Sequence, residues 1–336
     1  MLKYGVIGFG YWGPNLVRVL NTAERSMVRY VCDARDHRRE LAERMYPTTK
    51  VVTDHRELLA DPDVDVIAIA TPVSTHSQLA MEALEAGKHV FVEKPLTATS
   101  EEARQVVEMA RATNRTVFVD HTFVYTEAVR KIADLIDNQE LGELLYYDST
   151  RVNLGLFQHD VNVIWDLVVH DLAILDRITL HPPTSVMAIA SSPIPNQHES
   201  IAYVTLFYEK NFIAHVHASW LSPVKIRQAL IGGTRRMIVY DDLEPSEKIK
   251  IYDKGVELVH DPAESYALQV GYRSGDMVSP MINPYEALAN AVNHANASFL
   301  EGVQPITNGD TGYQVVRILE AANQSAQQGG RRIDLT

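Results

Sequence analysis

Short apolar runs alternate with stretches of helical periodicity from Met1 to about Asp120, the pattern of a parallel sheet with crossover helices. The runs are Tyr4 to Ile7, Val28 to Cys32, Val64 to Ala70, His89 to Val92 and Thr116 to Val119. Between them, helices are predicted at Pro14 to Leu20, Arg35 to Met45, Ser77 to Ala86 and Ser100 to Thr113. The economical fold for this half is an α/β Rossmann domain with a doubly wound parallel sheet. Beyond Thr122 the texture changes. A helix is predicted at Glu127 to Asn138, then alternating strands at Leu144 to Val152, Ala202 to Tyr208, Phe212 to Trp220, Arg227 to Ile231, Arg236 to Tyr240 and Lys248 to Tyr252. Their short, Gly- and Asp-rich connections favour antiparallel neighbours. This half is expected to be α+β with a large, mainly antiparallel open sheet, interrupted by a helix carrying Asp166 and His170 and closed by helices at Pro284 to Glu301 and Gly309 to Gln328.

Composition narrows the classes. The 336 residues suffice for two domains with their own cores, and 46% apolar with 22% charged residues is ordinary for a globular chain. A net charge of -12 argues against a surface that neutralises a nucleic-acid backbone. Cys32 is the single cysteine, which excludes an intramolecular disulfide and a Cys-cluster zinc site. With neither a signal-peptide pattern at the N-terminus nor an apolar stretch of about 18 residues, a cytoplasmic protein is expected.

Gly8-Phe9-Gly10-Tyr11-Trp12-Gly13 follows the first predicted strand and precedes a helix. In this pattern the first glycine permits a tight turn, the second lets a pyrophosphate approach the backbone, and the third lets helix and strand pack closely. The helix N-terminus then offers unpaired N–H groups to the diphosphate. Asp33 lies twenty positions after Gly13, at the end of the second strand, where a carboxylate can accept the hydroxyls of an adenosine ribose. A helix-capping acid is the alternative. Asp33 repels a 2'-phosphate and favours NAD, whereas Arg35, Arg38 and Arg39 can offset that repulsion and leave NADP open. Residues 1–121 are therefore expected to form a dinucleotide-binding domain, and 122–336 a substrate-binding and oligomerisation domain.

Thr71-Pro72-Val73-Ser74-Thr75-His76 and Glu93-Lys94-Pro95 end the fourth and fifth strands, where ligands of open α/β sheets bind. The proline restricts Lys94 to extended backbone or permits a cis bond, and either fixes where the ammonium points. Asp166 and His170 stand at i and i+4, on one helix face, among apolar neighbours. Lys94 also reads as a surface lysine, and Asp166 with His170 as a pair satisfying each other. A metal site lacks further ligands.

Taken together, the glycine turn, Thr71 to His76, Glu93-Lys94-Pro95 and Asp166 to His170 resemble the glucose-fructose oxidoreductase, inositol dehydrogenase and rhizopine catabolism (Gfo/Idh/MocA) family over essentially the whole chain. The resemblance implies a catalytic pair at Lys94 and His170, with Asp166 binding substrate. It also implies cofactor contacts from Gly8 to Gly13 and from Asp33, Arg35, Thr71, Pro72, Thr75, His76, Glu93, Lys94 and Pro95. Thr150 to Gly155, Asp160 to Asp166 and Asp241 to Asp253 resemble the nucleotide-sugar branch, which contains sugar 3-dehydrogenases and 3-ketoreductases. Leu156 and Val168-Val169 depart from it, where a basic residue and an Ala-Pro-like pair are expected. Arg151, Asn153 and Asn162 are the candidate substrate contacts beside the catalytic helix. The implied activity is NAD(P)-dependent hydride transfer at a secondary alcohol carbon, C3 of a nucleotide-linked sugar, by a homodimer or homotetramer. A dehydrogenase of free sugar or inositol, and a non-catalytic NAD(P)-binding regulator, are the rivals.

Overall fold

The computed structural model describes residues 1–155, 161–179, 181–195, 197–259 and 269–335. Leu156 and Asp160 lie outside them. The chain divides into two compact units, one of Met1–Thr126 with Tyr285–Glu320, the other of Glu127–Pro284 with Ala321–Thr336.

The first unit holds a six-stranded parallel sheet built from β1 (Leu2–Ile7), β2 (Ser26–Cys32), β3 (Lys50–Val52), β4 (Val66–Ile69), β5 (His89–Glu93) and β6 (Val117–Asp120). Its order is β3-β2-β1-β4-β5-β6, so strand order reverses between β1 and β4. Crevices at such reversals are where doubly wound sheets bind ligands. The strands are near-continuous apolar runs because helices cover both faces. These helices are α1 (Gly13–Thr22), α2 (Asp36–Met45), α3 (Arg56–Ala60), α4 (His76–Glu85) and α5 (Ser100–Thr113). At α5, Thr99 and Glu102 form a reciprocal capping box that fixes its start.

Residues 122–126 and 285–320 also belong to this unit, where a division at 121/122 had been expected. Contacts between positions far apart in sequence attach them, both apolar, as where Phe299 packs on the His89 ring and Gly312 lies against Leu96 and Val119, and polar. Tyr4 donates to Asn296 Oδ1 at 2.6 Å, and Tyr125 and Thr307 share a hydroxyl bond at 2.8 Å. Val119 N–H donates to the Thr307 carbonyl at 2.9 Å.

The second unit contains α6 (Glu127–Asp137), β7 (Leu144–Leu154), α7 (Val169–Ile178), β8 (Ser185–Ser191), β9 (Ile201–Phe207), β10 (Ile213–Ser219), β11 (Leu221–Gly233), β12 (Met237–Asp241), β13 (Ile249–Val259) and β14 (Gln269–Val278). The chain ends with α8 (Ala287–Glu301), α9 (Gly309–Gln327) and β15 (Ile333–Asp334). The nine-stranded sheet runs β14-β13-β12-β11-β7-β10-β9-β8-β15. Among the described residues β10 pairs β7 in parallel and the other ladders are antiparallel. Strict alternation along β9 and β10 buries Ala202, Val204, Leu206, Ala214, Val216 and Ala218 on one face.

Candidate functional site

The glycine turn is built as its sequence demands. Gly8 has φ +98°, and a Cβ there would lie 2.4 Å from the Ala70 carbonyl oxygen, so β1 and β4 meet too closely for any side chain. A Cβ on Gly13 would lie 2.4 Å from Gly8 O, which is the tight closure of turn onto helix. Gly10 differs: a Cβ there meets only Arg35 Nη2, at 3.3 Å, so its surface is free for a ligand. No side chain caps the N-terminus of α1 and no acid stands in its first turn. These features fit a dinucleotide diphosphate held on backbone N–H groups. Within the turn, Phe9 is fully buried and packs edge-on against Tyr46, Tyr11 is exposed, and the Trp12 indole N–H is buried.

Asp33 closes β2 with its carboxylate engaged. It accepts the Phe9 N–H at 2.8 Å and the Arg35 backbone N–H at 2.9 Å, and receives a two-pronged contact from the Arg35 guanidinium at 3.0 and 2.9 Å. Burial works to raise its pKa, but these donors together hold the carboxyl down to about 2. Arg39 Nη1 donates to the Asp33 carbonyl at 2.8 Å, and Arg38 Nη1 reaches Gly10 O at 3.5 Å. All three arginines read from the sequence therefore gather around Asp33 and the turn.

At the ends of β4 and β5 stands His76. Its buried ring lies between the two segments, with Nδ1 2.9 Å from Pro95 O and Nε2 2.9 Å from Thr71 O, and the nitrogen that carries the proton donates to the carbonyl it faces. Thr71 and Thr75 share a hydroxyl bond at 2.7 Å, and Thr75 Oγ1 also donates to Pro72 O at 2.8 Å. The Lys94-Pro95 bond is cis. Lys94 is thus delivered from a segment packed against His76, beside the strand-order reversal. Glu93 and Asp120 are register partners on β5 and β6, an arrangement that sequence reasoning missed although an acid ends both runs.

In the second unit, Asp166 and His170 lie where a π-helical turn, Ile164–Val168, runs into α7. A regular α-helix had been expected; the wider turn alters its winding, a feature frequent at functional sites. From Asn162 to Leu175 all positions are buried except Asp166, Leu167 and His170, so the polar pair opens on the helix's one accessible side. Asp166 Oδ2 accepts the Trp220 indole N–H at 3.0 Å. The Trp220 ring is buried, and a Cβ on Gly155 would sit 3.0 Å from its Cδ1.

Arg151 and Asn162, expected beside this helix, are engaged internally. Buried Arg151 Nε donates to Asp171 Oδ2 at 2.8 Å, while Tyr147 and Ser149 donate to Asp171 Oδ1 at 2.7 and 2.6 Å. Asn162 Oδ1 accepts the Ile164 and Trp165 N–H groups at 3.1 and 3.2 Å, which caps the helix start. Its Nδ2 donates to Glu199 and Asn323. Asn153 is half-buried on β7. No helix among the described residues is long and apolar enough to cross a membrane.

Comparison with known proteins agrees with this construction. Residues 2–121 match the family description "Oxidoreductase family, NAD-binding Rossmann fold", and residues 129–239 match "GFO/IDH/MocA C-terminal domain". The uncharacterised oxidoreductase YdgJ of Escherichia coli K12 is 29% identical over 259 residues, covering 74% of this chain and 73% of that protein. The scyllo-inositol 2-dehydrogenase (NAD(+)) of Bacillus subtilis 168 is 29% identical over 246 residues, covering 69% and 70%. In fold, the chain superposes on UDP-N-acetylglucosamine 3-dehydrogenase GnnA of Acidithiobacillus ferrooxidans with a TM-score of 0.80 at 22% identity, over 97% of this chain and 98% of that one. Matched in order through an NAD-binding Rossmann fold and its C-terminal partner, the chain belongs to the Gfo/Idh/MocA family of oxidoreductases.

Proposed function

We propose that the chain catalyses reversible hydride transfer between NAD and a ring carbon bearing a secondary hydroxyl, in a sugar or inositol, and that Lys94, Asp166 and His170 carry the reaction. The observation behind this is the juxtaposition, at the ends of β1, β4 and β5, of an open Gly10 surface, an uncapped α1 and a lysine segment packed against His76. Bound NAD supplies the hydride acceptor, C4 of its nicotinamide. As the C–H electron pair leaves as hydride, the hydroxyl proton must go to a base, and the His170 imidazole accepts it. The Lys94 ammonium stabilises the negative charge growing on that oxygen. Asp166, oriented by Trp220, accepts a neighbouring hydroxyl. Gly8 to Gly13 would hold the diphosphate and Asp33 would take the adenosine ribose, and the Asp33 charge, with Arg35 already paired to it, favours NAD over NADP.

For the substrate, the segments 150–155 and 241–253 support C3 of a nucleotide-linked sugar. A free inositol or sugar is the second reading, favoured by the scyllo-inositol dehydrogenase relative and by the internal pairing of Arg151, which leaves its Nε committed to Asp171. Nicotinamide absorbance followed over a panel of nucleotide sugars, free sugars and inositols separates the two. Reduction by inositols alone removes the nucleotide-sugar reading, and tight NAD binding without turnover on any member removes the enzyme reading.

The exposed face of the nine-stranded sheet carries Ile189, Tyr203, Ile213 and Leu230. A homodimer or homotetramer that covers it is part of the proposal, and sedimentation as a monomer contradicts it.

A further inference from the structure

Glu93 and Asp120 stand opposite each other on adjacent parallel strands, which puts both carboxyl groups on one face of the sheet. Asp120 is fully buried, and Glu93 Oε1 and Asp120 Oδ2 are both shut off from solvent. Two carboxylates side by side in a dry site do not both ionise. Their neighbours decide which one does. The Thr122 hydroxyl donates to Asp120 Oδ1 at 2.9 Å. A donor of this kind favours an anion at Asp120. The Lys94 ammonium acts electrostatically on both acids and on the buried His121 ring. Burial and the nearby Lys94 depress His121 to about 3, so this ring is neutral and Lys94 is the cation of the cluster. The buried Tyr125 phenol, which feels the Asp120 charge, is pushed upward, chiefly by burial, and stays protonated.

We propose that Glu93 and Asp120 form a carboxyl pair that holds one proton, with Glu93 as the acid and Asp120 as the anion, and that this single negative charge positions the Lys94 ammonium. The role of Lys94 rests on the function proposed above; the proton held by the pair does not. Both acids are positioning residues, since they act through Lys94. The pair balances Lys94 with one charge, which leaves the ammonium an electrostatic share for a developing alkoxide; two charges would bind it inward.

Infrared spectroscopy of the full chain without substrate tests the pair, because a protonated carboxyl absorbs apart from carboxylates. A carboxylic-acid band at neutral pH that disappears in Glu93→Gln is expected. In Lys94→Met the band should persist to higher pH, by about one unit, because the cation favouring ionisation is gone. A neutral-pH spectrum without any Glu93-dependent acid band, or a Lys94→Met titration identical to wild type, overturns the proposal. In turnover, Glu93→Gln preserves a neutral donor to Asp120 and should cost less than about tenfold in kcat, whereas Asp120→Asn should cost of order hundredfold, the scale of a lost electrostatic group. Equal losses in the two variants overturn the assignment of acid and anion. The infrared measurement needs no turnover, so it judges the pair even where the reaction reading fails.

Discussion

The indole N–H of Trp220 donates to Asp166 Oδ2 at 3.0 Å, joining a buried ring at the end of β10 to the π-helical turn that leads into α7. Trp220→Phe keeps most of the ring and removes the donor. A hydrogen bond to a charged group is worth about 1.5–3 kcal/mol, so kcat/KM should fall about tenfold to a hundredfold. The loss should appear mainly in KM for the substrate, because the proposed role of Asp166 is to hold a hydroxyl that does not react. Steady-state kinetics check this, and an unchanged KM argues that Asp166 is held by other means.

The glycines of the turn separate stability from binding. Gly8→Ala places a methyl group against Ala70 O at a φ of +98°, and should destabilise the chain by at least about 2 kcal/mol. Gly10→Ala meets only the end of the Arg35 side chain, so its melting temperature should stay near that of wild type while the Kd for NAD rises about tenfold or more. Thermal unfolding with NAD titration distinguishes the two.

A buried charge makes Arg151 a stability residue. Arg151→Met strands the Asp171 carboxylate with only the Tyr147 and Ser149 hydroxyls on Oδ1, at a cost of about 3–5 kcal/mol in denaturant unfolding. Adding Asp171→Asn should recover much of that loss, since no uncompensated charge remains.

Local spacing and long-range contact differ in how far the sequence reveals them. The Gly8 turn, Asp33 and the Lys94 segment could be read because each depends on local spacing within one βαβ unit. The same holds for β1, β2, β4, β5 and β6, whose apolar runs are unbroken. The Arg151–Asp171 pair joins a strand to a helix twenty positions away, and hydropathy carries no trace of it. The attachment of residues 285–320 to the first unit leaves no local signal, because it is made by contacts far apart in sequence, such as Phe299 on the His89 ring and Tyr4 on Asn296. Strand β8, Ser185–Ser191, leaves little trace in the sequence because small residues dilute its alternation.

His121 gives the stability a pH signature. Its imidazole is depressed to about 3 by burial, then by Lys94, against an ordinary value of 6.5, so the unfolded chain binds the proton first. The contribution is complete above about pH 6.5 and is lost as pH falls from there toward 3. Between pH 6.5 and 5, wild type should lose about 1–2 kcal/mol relative to His121→Gln, measured by denaturant unfolding at each pH. Parallel curves for the two proteins contradict this.

The proposal that Lys94 and His170 carry hydride transfer faces its most direct test in Lys94→Ala and His170→Asn, assayed by nicotinamide absorbance with the substrate the panel identifies. Turnover should vanish in Lys94→Ala while the Kd for NAD stays within about threefold, and should fall by about 100-fold to 10,000-fold in His170→Asn. Full turnover in Lys94→Ala would contradict the mechanism at its centre.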